Sequence, residues 1–307
     1  MTSPPPAPRA LFAGLCTLDL AYLVDRFPQP NQKIAAHSQH LTAGGPATNA
    51  AVTFAFLDGA ATLATALGRH PLATLIRHDL DAHRVSLLDL TPNHDGPPAL
   101  SSISVHRATG QRTVVSANAA AYPPVRLHPH SFDPTQLSAV LLDGHHMPLC
   151  IEIATLARAR SIPVILDAGS WKPGLETLLP LTDIAICSED FQPPHLHGLP
   201  HTAAFLLHAG PHSVAITRGP RPIFWFTASG DSGEIPVPPI HPIDTLGAGD
   251  IFHGAFCRAH ASGLPFPDAL HFAAAVATES CLHYGTRSWM SALALHTRAA
   301  WNALLNG

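Results

Sequence analysis

Four short apolar runs, each closing on a polar residue, set the tightest limit on how this chain can fold. They are Val140-Leu141-Leu142-Asp143, Val164-Ile165-Leu166-Asp167, Ile184-Ala185-Ile186-Cys187-Ser188-Glu189 and Ser213-Val214-Ala215-Ile216-Thr217. Runs of this length without polar alternation suit strands covered on both faces, and the stretches between them are helical in pattern. Strands that alternate with helices imply right-handed βαβ units and a parallel sheet, whose ligands gather at its carboxyl edge. Ala10 to Leu18 is predicted as another buried strand, stopping at Asp19, and Ala60 to Leu67 as one more before a helix over Pro71 to Asp81. At the end of such a strand Asp19 suits a ligand-facing carboxylate and a cap or turn residue equally.

Composition narrows the class. The 307 residues are 46% hydrophobic, enough for one large core with an appendage. A formal charge of -4 leaves no broad basic footprint, which argues against nucleic acid or an anionic membrane as partner. The spacings His197 to His201 and His208 to His212 enclose Gly and Pro, so neither pair shares a helix face and no His/Cys metal cage is expected. Cys16, Cys150, Cys187, Cys257 and Cys281 lie far apart in apolar stretches and read as reduced thiols of a cytoplasmic protein. Residues 1 to 9 lack the charged start and apolar run of a signal peptide and are predicted as a disordered lead. No segment has the roughly 18 apolar residues of a membrane helix.

Chemistry concentrates in two stretches. Asp244-Thr245-Leu246-Gly247-Ala248-Gly249-Asp250 runs directly into the apolar Ile251-Phe252-His253-Gly254-Ala255-Phe256. Small residues before a helix let backbone N–H groups converge, and the helix adds partial positive charge, so the turn suits an anion such as phosphate. A carboxylate there would repel that anion unless it serves another atom, for example by accepting the proton of an alcohol that attacks phosphorus. An ordinary N-capped helix with a glycine-rich lead-in fits the same residues. No Gly-Lys-Ser/Thr follows, so this is not a Walker P-loop. The second stretch is Thr42-Ala43-Gly44-Gly45-Pro46-Ala47-Thr48-Asn49. Its paired glycines allow close approach of a ligand, and Pro46 opens a helix that should end near Asp58-Gly59.

Together these two stretches resemble the signatures of the ribokinase-like (PfkB) carbohydrate kinases, in the right order and about two hundred residues apart. The resemblance covers nearly all of residues 10 to 305. It implies an α/β fold, a ribokinase-like three-layer α/β/α sandwich with a small β lid, and ATP-dependent phosphorylation of a sugar hydroxyl. In that family the last Asp is the catalytic base and the preceding amides form the anion hole, which map onto Asp250 and onto Gly247, Ala248 and Gly249. Sugar contacts map onto Asp19, Gly44, Gly45 and Asn49. Nucleotide contacts map onto Ser188, Thr217, Gly219, Gly247, Gly249 and the loop at Gly285, with Arg218 beside them.

The polar stretch Asp25 to Leu41 reads as a short exposed strand pair, and Ser101 to Arg107 with Arg112 to Ser116 as a β-hairpin. The resemblance makes these, at about 20–42 and 100–120, the lid of a kinase domain spanning 10–307. Lys33 and Arg107 would then face the sugar, suited to an anionic substituent, although each also reads as a solvated side chain. Asn118 stands near the same junction. Asp167 and Glu189 are the expected Mg²⁺ carboxylates, because Mg²⁺ keeps most of its waters and needs one or two. The family's Asn-x-x-Glu is replaced by Ser188-Glu189-Asp190-Phe191, so Glu189 stands in for the missing Glu. Asp244 and the carbonyls near Gly285 correspond to the monovalent cation site of some relatives, and a homodimer is also compatible. Scattered residues, among them Lys33 and Asp250-Ile251-Phe252-His253-Gly254, look nearer to the sulfofructose kinase and ketohexokinase-like branch. A nucleoside kinase of the same fold and a non-catalytic sugar-binding relative are the alternatives. The first lacks an aromatic platform in the lid beyond Tyr22, Phe27 and Tyr122, and the second conflicts with the retained Gly247, Gly249 and Asp250.

Overall fold

The computed structural model describes residues 7–118, 122, 124–128, 133–293 and 301. In chain order its strands are β1 (Arg9–Ala13), β2 (Thr17–Val24), β3 (Ser38–Gly44), β4 (Ala60–Thr65), β5 (Val85–Asp89), β6 (Ala99–His106), β7 (Arg112–Ser116), β8 (Ala139–Leu142), β9 (Val164–Ala168), β10 (Ile184–Ser188), β11 (Ser213–Arg218), β12 (Arg221–Thr227) and β13 (Ser232–Ile235). The helices are α1 (Pro46–Phe56), α2 (Ala73–Ala82), α3 (Met147–Arg158), α4 (Leu175–Leu178), α5 (Leu199–Ala209), α6 (Ala248–Ala261), α7 (Phe266–Ser280) and α8 (Ser288–Ala292).

The large sheet runs β13-β12-β11-β10-β9-β8-β1-β4-β5. From β11 to β5 all pairings are parallel, and β12 and β13 add an antiparallel edge. Successive side chains of its strands enter opposite cores, as the pleat requires. In β1, Ala10 and Phe12 join α1, α2, α6 and α7 on one face, while Leu11 and Ala13 join α3, α4 and α5 on the other. Every β8 and β9 residue is buried, which is why these segments read as unbroken apolar runs. Among the described residues, no helix is long and apolar enough to cross a membrane.

A second sheet, ordered β3-β2-β6-β7, stands apart from the first. Ala21, Ile103 and Val105 form its apolar face, packed with Leu246 and Tyr284, so the sheet lies against the segment that leads into α6. Its other face presents Leu41, Leu100 and Val115 to solvent.

Three expectations change. The strand expected over Ala10 to Leu18 is two elements, and Asp19 lies inside β2 of the small sheet, not at the end of a core strand. The break occurs because the Asp143 carboxylate fills the space over Gly14, where a Cβ would lie 2.0 Å from it, and takes the Leu15 N–H at 2.8 Å. The chain is thereby turned out of the large sheet. The strand pair expected within Asp25 to Leu41 is formed by β2 and β3, with 25–37 as the connection; Pro28 and Pro30 cannot donate to a ladder. Arg9, expected in the disordered lead, opens β1, and residues 1–6 of that lead lie outside the described residues. So do 119 and 120 of the lid stretch and, of the helix that the C-terminal sequence Ser291 to Leu305 also leads one to expect, all beyond 293 except Trp301.

Candidate active site

The 244–250 segment folds as a turn into α6. Gly247 is the helix N-cap at φ 70°, a left-handed conformation that costs glycine little, and a Cβ there would meet the Thr286 side chain at 2.8 Å. The first-turn N–H groups of a helix lack intrahelical acceptors, so they and the helix dipole make an anion-attracting mouth. The Ala248 N–H is turned to the Thr245 carbonyl at 3.3 Å, whereas a Cβ at Gly249 would meet nothing within 4 Å. Space in front of α6 is therefore open at Gly249.

Asp250 sits in this first turn, half-buried, and accepts the Asn49 Nδ2–H at 2.8 Å on Oδ2. Burial, with the Asp167 carboxylate adding to it, raises its pKa to about 7, against opposing help from Asn49, His253 and Arg112. A carboxylate of that basicity ionises near neutral pH and is well matched to proton abstraction.

Asn49 comes from α1, whose start is held by Gly45 at φ 96° and Pro46 in the first turn. A Cβ on Gly45 would strike the Leu15 carbonyl at 2.3 Å, and one on Gly44 would overlap the Asp19 carboxylate at 2.0 Å. Both glycines are thus required by close approach. Asp19 is 7% exposed, accepts the Thr17 hydroxyl at 2.6 Å, and is held above the usual carboxylate range chiefly by burial. Asp19, Gly44, Gly45 and Asn49 therefore meet at the root of the small sheet, and Asn49 links them to Asp250.

At the carboxyl edge of the large sheet, Ser188 pairs in register with Thr217, whose hydroxyl donates to the Cys187 carbonyl at 3.3 Å. Gly219 follows at φ 60° with open space over its Cα. Arg218 folds back: its guanidinium lies 3.7 Å from the Phe224 ring centroid and donates to the Pro222 carbonyl at 2.7 Å. Asp167, 7% exposed, faces the His253 ring at 3.5 Å, while that ring's Nδ1 and Nε2 also lie 2.7 and 3.2 Å from the Gly249 and Ile186 carbonyls. Glu189 is ion-paired with Arg221 of β12. Among the described residues no group of three His, Cys, Asp or Glu side chains could hold a metal. The Asp167 carboxylate is nonetheless close enough to raise the proton affinity of Asp250, a repulsion that a divalent cation relieves.

Lys33 stands in the exposed 25–37 connection, in a groove with Asp25, Arg26 and Ile34. Arg107 is bound to Asp25 at 3.0 Å, and Asp25 to His37 at 2.7 Å. Neither cation touches the Asp19–Asn49–Asp250 group. Asn118, at φ 48°, bonds through its N–H to the Ser116 hydroxyl at 3.2 Å. Asp244 is buried and engaged on both oxygens, by the Leu246 N–H at 2.8 Å and the Gly285 N–H at 2.9 Å.

Two arginines escaped sequence reasoning. Arg112 of β7 donates to the Thr245 hydroxyl at 2.8 Å. Arg287 donates to Asn49 Oδ1 at 2.9 Å, to the Ala43 carbonyl at 2.8 Å and to Asp79 at 3.1 Å. An isolated Arg after Gly285-Thr286 carries no local signal, since its partners come from three distant segments.

Residues 8–292 match the pfkB family carbohydrate kinase profile. A ribokinase of Bacillus subtilis (strain 168) is 25% identical over 282 residues, covering 90% of this chain and 94% of its own. The solved structure of a putative ribokinase from Agrobacterium tumefaciens superposes with a TM-score of 0.81 at 26% identity, covering 96% of this chain and 98% of that one. The ribokinase of Arabidopsis thaliana, solved with ribose and ATP, superposes with a TM-score of 0.78 at 24% identity over 97% of this chain and 99% of its own.

Proposed function

This chain belongs to the pfkB family of carbohydrate kinases and is an ATP-dependent kinase acting on a sugar, and from that premise we propose that Asp250 is the base that deprotonates the acceptor hydroxyl. The observation that carries the reading is the Asn49–Asp250 contact, which joins the sugar-binding signature to the anion-binding one at the mouth of α6. Asp250 Oδ1 accepts the hydroxyl proton as the sugar oxygen bonds to the γ-phosphorus and the bridging P–O bond to ADP breaks. The N-terminal amides of α6 at Gly247 and Gly249 hold the transferring group and offset its charge, whereas the Ala248 N–H, expected among them, is turned to the Thr245 carbonyl.

Asp19, Gly44, Gly45 and Asn49 orient the sugar. Asp19 accepts from sugar hydroxyls, and the glycines let the ring approach backbone. Ser188, Thr217 and Gly219 line the nucleotide side. Asp167 is the residue suited to Mg²⁺ held through water, with Glu189 engaged by Arg221. Mg²⁺ when bound neutralises phosphate charge and orients the γ-phosphoryl group. The small sheet acts as a lid that excludes water from the transfer. Asp244 and the loop at Gly285 are the corresponding place for a monovalent cation.

The acceptor is a small sugar with a reactive primary hydroxyl. A ketose or sulfo-sugar is the finer reading, supported by Lys33 in the lid connection and Arg112 beside Thr245, two cations suited to an anionic substituent. ADP release measured over a panel of aldoses, ketoses and sulfo-sugars, in wild type and in Asp250→Asn, tests both levels. Asp250→Asn should keep nucleotide binding and lose about 10²–10⁴-fold in turnover, the worth of a general base. Near-wild-type turnover in that variant removes Asp250 from the role.

A further inference from the structure

Of the sugar and nucleotide positions named above Arg287 touches Asn49 alone, yet its side chain is only 10% exposed and its guanidinium is fully engaged. It reaches four parts of the fold: Asp79 on α2, Asn49 on α1, the Ala43 carbonyl on β3 and the Thr286 hydroxyl in its own loop. Asp79 closes the same ring by accepting the Ala43 N–H at 3.2 Å. A guanidinium only donates, so the Asn49 atom that faces it must be the amide oxygen. The Asn49 amide is then oriented with its NH₂ toward Asp250 Oδ2, at 2.8 Å. Without Arg287 either amide face could turn to Asp250, and a carbonyl there would repel the carboxylate.

We infer that Arg287 is a positioning residue for phosphoryl transfer, acting through Asn49. It fixes the amide so that one carboxylate oxygen of Asp250 is held and the other is presented to the acceptor hydroxyl. Because the same guanidinium binds the Ala43 carbonyl at the root of the small sheet, it also ties the base to the strand that carries Gly44 into the sugar site. This inference rests on the assignment of Asp250 as base.

A double-mutant cycle tests it, with turnover and ATP KM measured for wild type, Asn49→Ala, Arg287→Met and the double variant. Arg287→Met should lower kcat by about 10–100-fold, part of the worth of the base it positions. ATP KM should change by less than about 3-fold, and in the Asn49→Ala background the further loss should also be under about 3-fold, the non-additivity expected of residues that act in series. Losses that multiply in the double variant, or a wild-type kcat in Arg287→Met with a lowered melting temperature alone, overturn the inference. Arg287→Met takes the guanidinium from Asp79 and leaves it the Ala43 N–H and the His83 ring, so thermal unfolding is followed in parallel. If that variant does not fold, Arg287→Lys takes its place in the same cycle, since one ammonium group cannot reach Asn49, Asp79 and Ala43 together. Asp250→Asn separates the two levels: activity in that variant defeats the base assignment, whereas an inactive Asp250→Asn with an additive cycle defeats only the relay.

Discussion

Arg112, on the hairpin of the small sheet, donates to the Thr245 hydroxyl at 2.8 Å, and that hydroxyl donates in turn to the Gly110 carbonyl at 3.2 Å. The hairpin is thereby pinned to the turn that leads into α6. These two bonds, 133 and 135 residues apart in sequence, would couple closure of the proposed lid to the shape of the turn before α6.

Arg112→Met should therefore loosen the lid, and with a neutral sugar as acceptor it removes no group assigned to substrate contact. Losing one net hydrogen bond of about 1 kcal/mol corresponds to roughly a fivefold rise in sugar KM. The rate of ADP formation without sugar should rise with it, as water gains entry. An unchanged sugar KM and an unchanged ratio of sugar phosphate to ADP would show that the pin does not control closure.

The pH profile follows from the environment of Asp250. Its pKa of about 7, against 3.8 for an ordinary Asp, means that the folded state holds the proton more tightly than the unfolded state. Stability from this group is therefore greatest at low pH and declines as pH rises from about 4 to about 7, then levels off. Activity runs the other way, because the base must be ionised. The kcat/KM profile should show an acidic limb near pH 7, and Asp250→Asn should flatten the pH dependence of thermal unfolding across that window. A limb near pH 4 would mean that bulk solvent reaches the carboxylate freely.

Magnesium dependence should separate the two carboxylates named from sequence. Glu189 is committed to Arg221, whereas Asp167 lies close enough to Asp250 to raise its pKa. Asp167→Asn should raise the Mg²⁺ concentration for half-maximal activity at least several-fold, and Glu189→Gln should leave it near wild type, as expected where one or two carboxylates complete a largely hydrated ion. The reverse result would move the ion to the β10 edge.

Much of the layout was legible because its signals are local. β8 to β11 are continuous apolar runs since both faces are covered, and β6 alternates because only one face is. Gly44, Gly45 and Gly247 are legible for the same reason: the need for a small residue at a close approach leaves a mark at one position. The break after β1 left none. Gly14 reads as one more small member of an apolar run, and what ends the strand is Asp143, 128 residues from the Leu15 amide it binds. Arg112 and Arg287 were illegible likewise, because each acts on partners more than a hundred residues away and neither sits in a motif. Pro28 and Pro30 are local signals against a ladder in the first half of the stretch expected to pair.

Two glycines of α6 offer opposite outcomes from the same substitution. A Cβ at Gly254 would lie 2.3 Å from the Ala50 carbonyl and 2.8 Å from the Thr53 Cβ, so α1 and α6 pack there without room for a methyl group. Gly254→Ala should destabilise by about 1–3 kcal/mol through overpacking, a fall of several degrees in melting temperature for a protein of this size. At Gly249 a Cβ meets nothing within 4 Å, and the residue is helical, so Gly249→Ala should leave the melting temperature unchanged or slightly raised. Its methyl group would nevertheless stand in the space before the helix N-terminus that is proposed to hold the transferring phosphoryl group. Turnover should fall about 10²-fold, comparable with the loss of one oxyanion donor. Calorimetry and ADP release on the two variants read both effects together, and a Gly249→Ala enzyme of full activity would mean that phosphate is not held at this helix end.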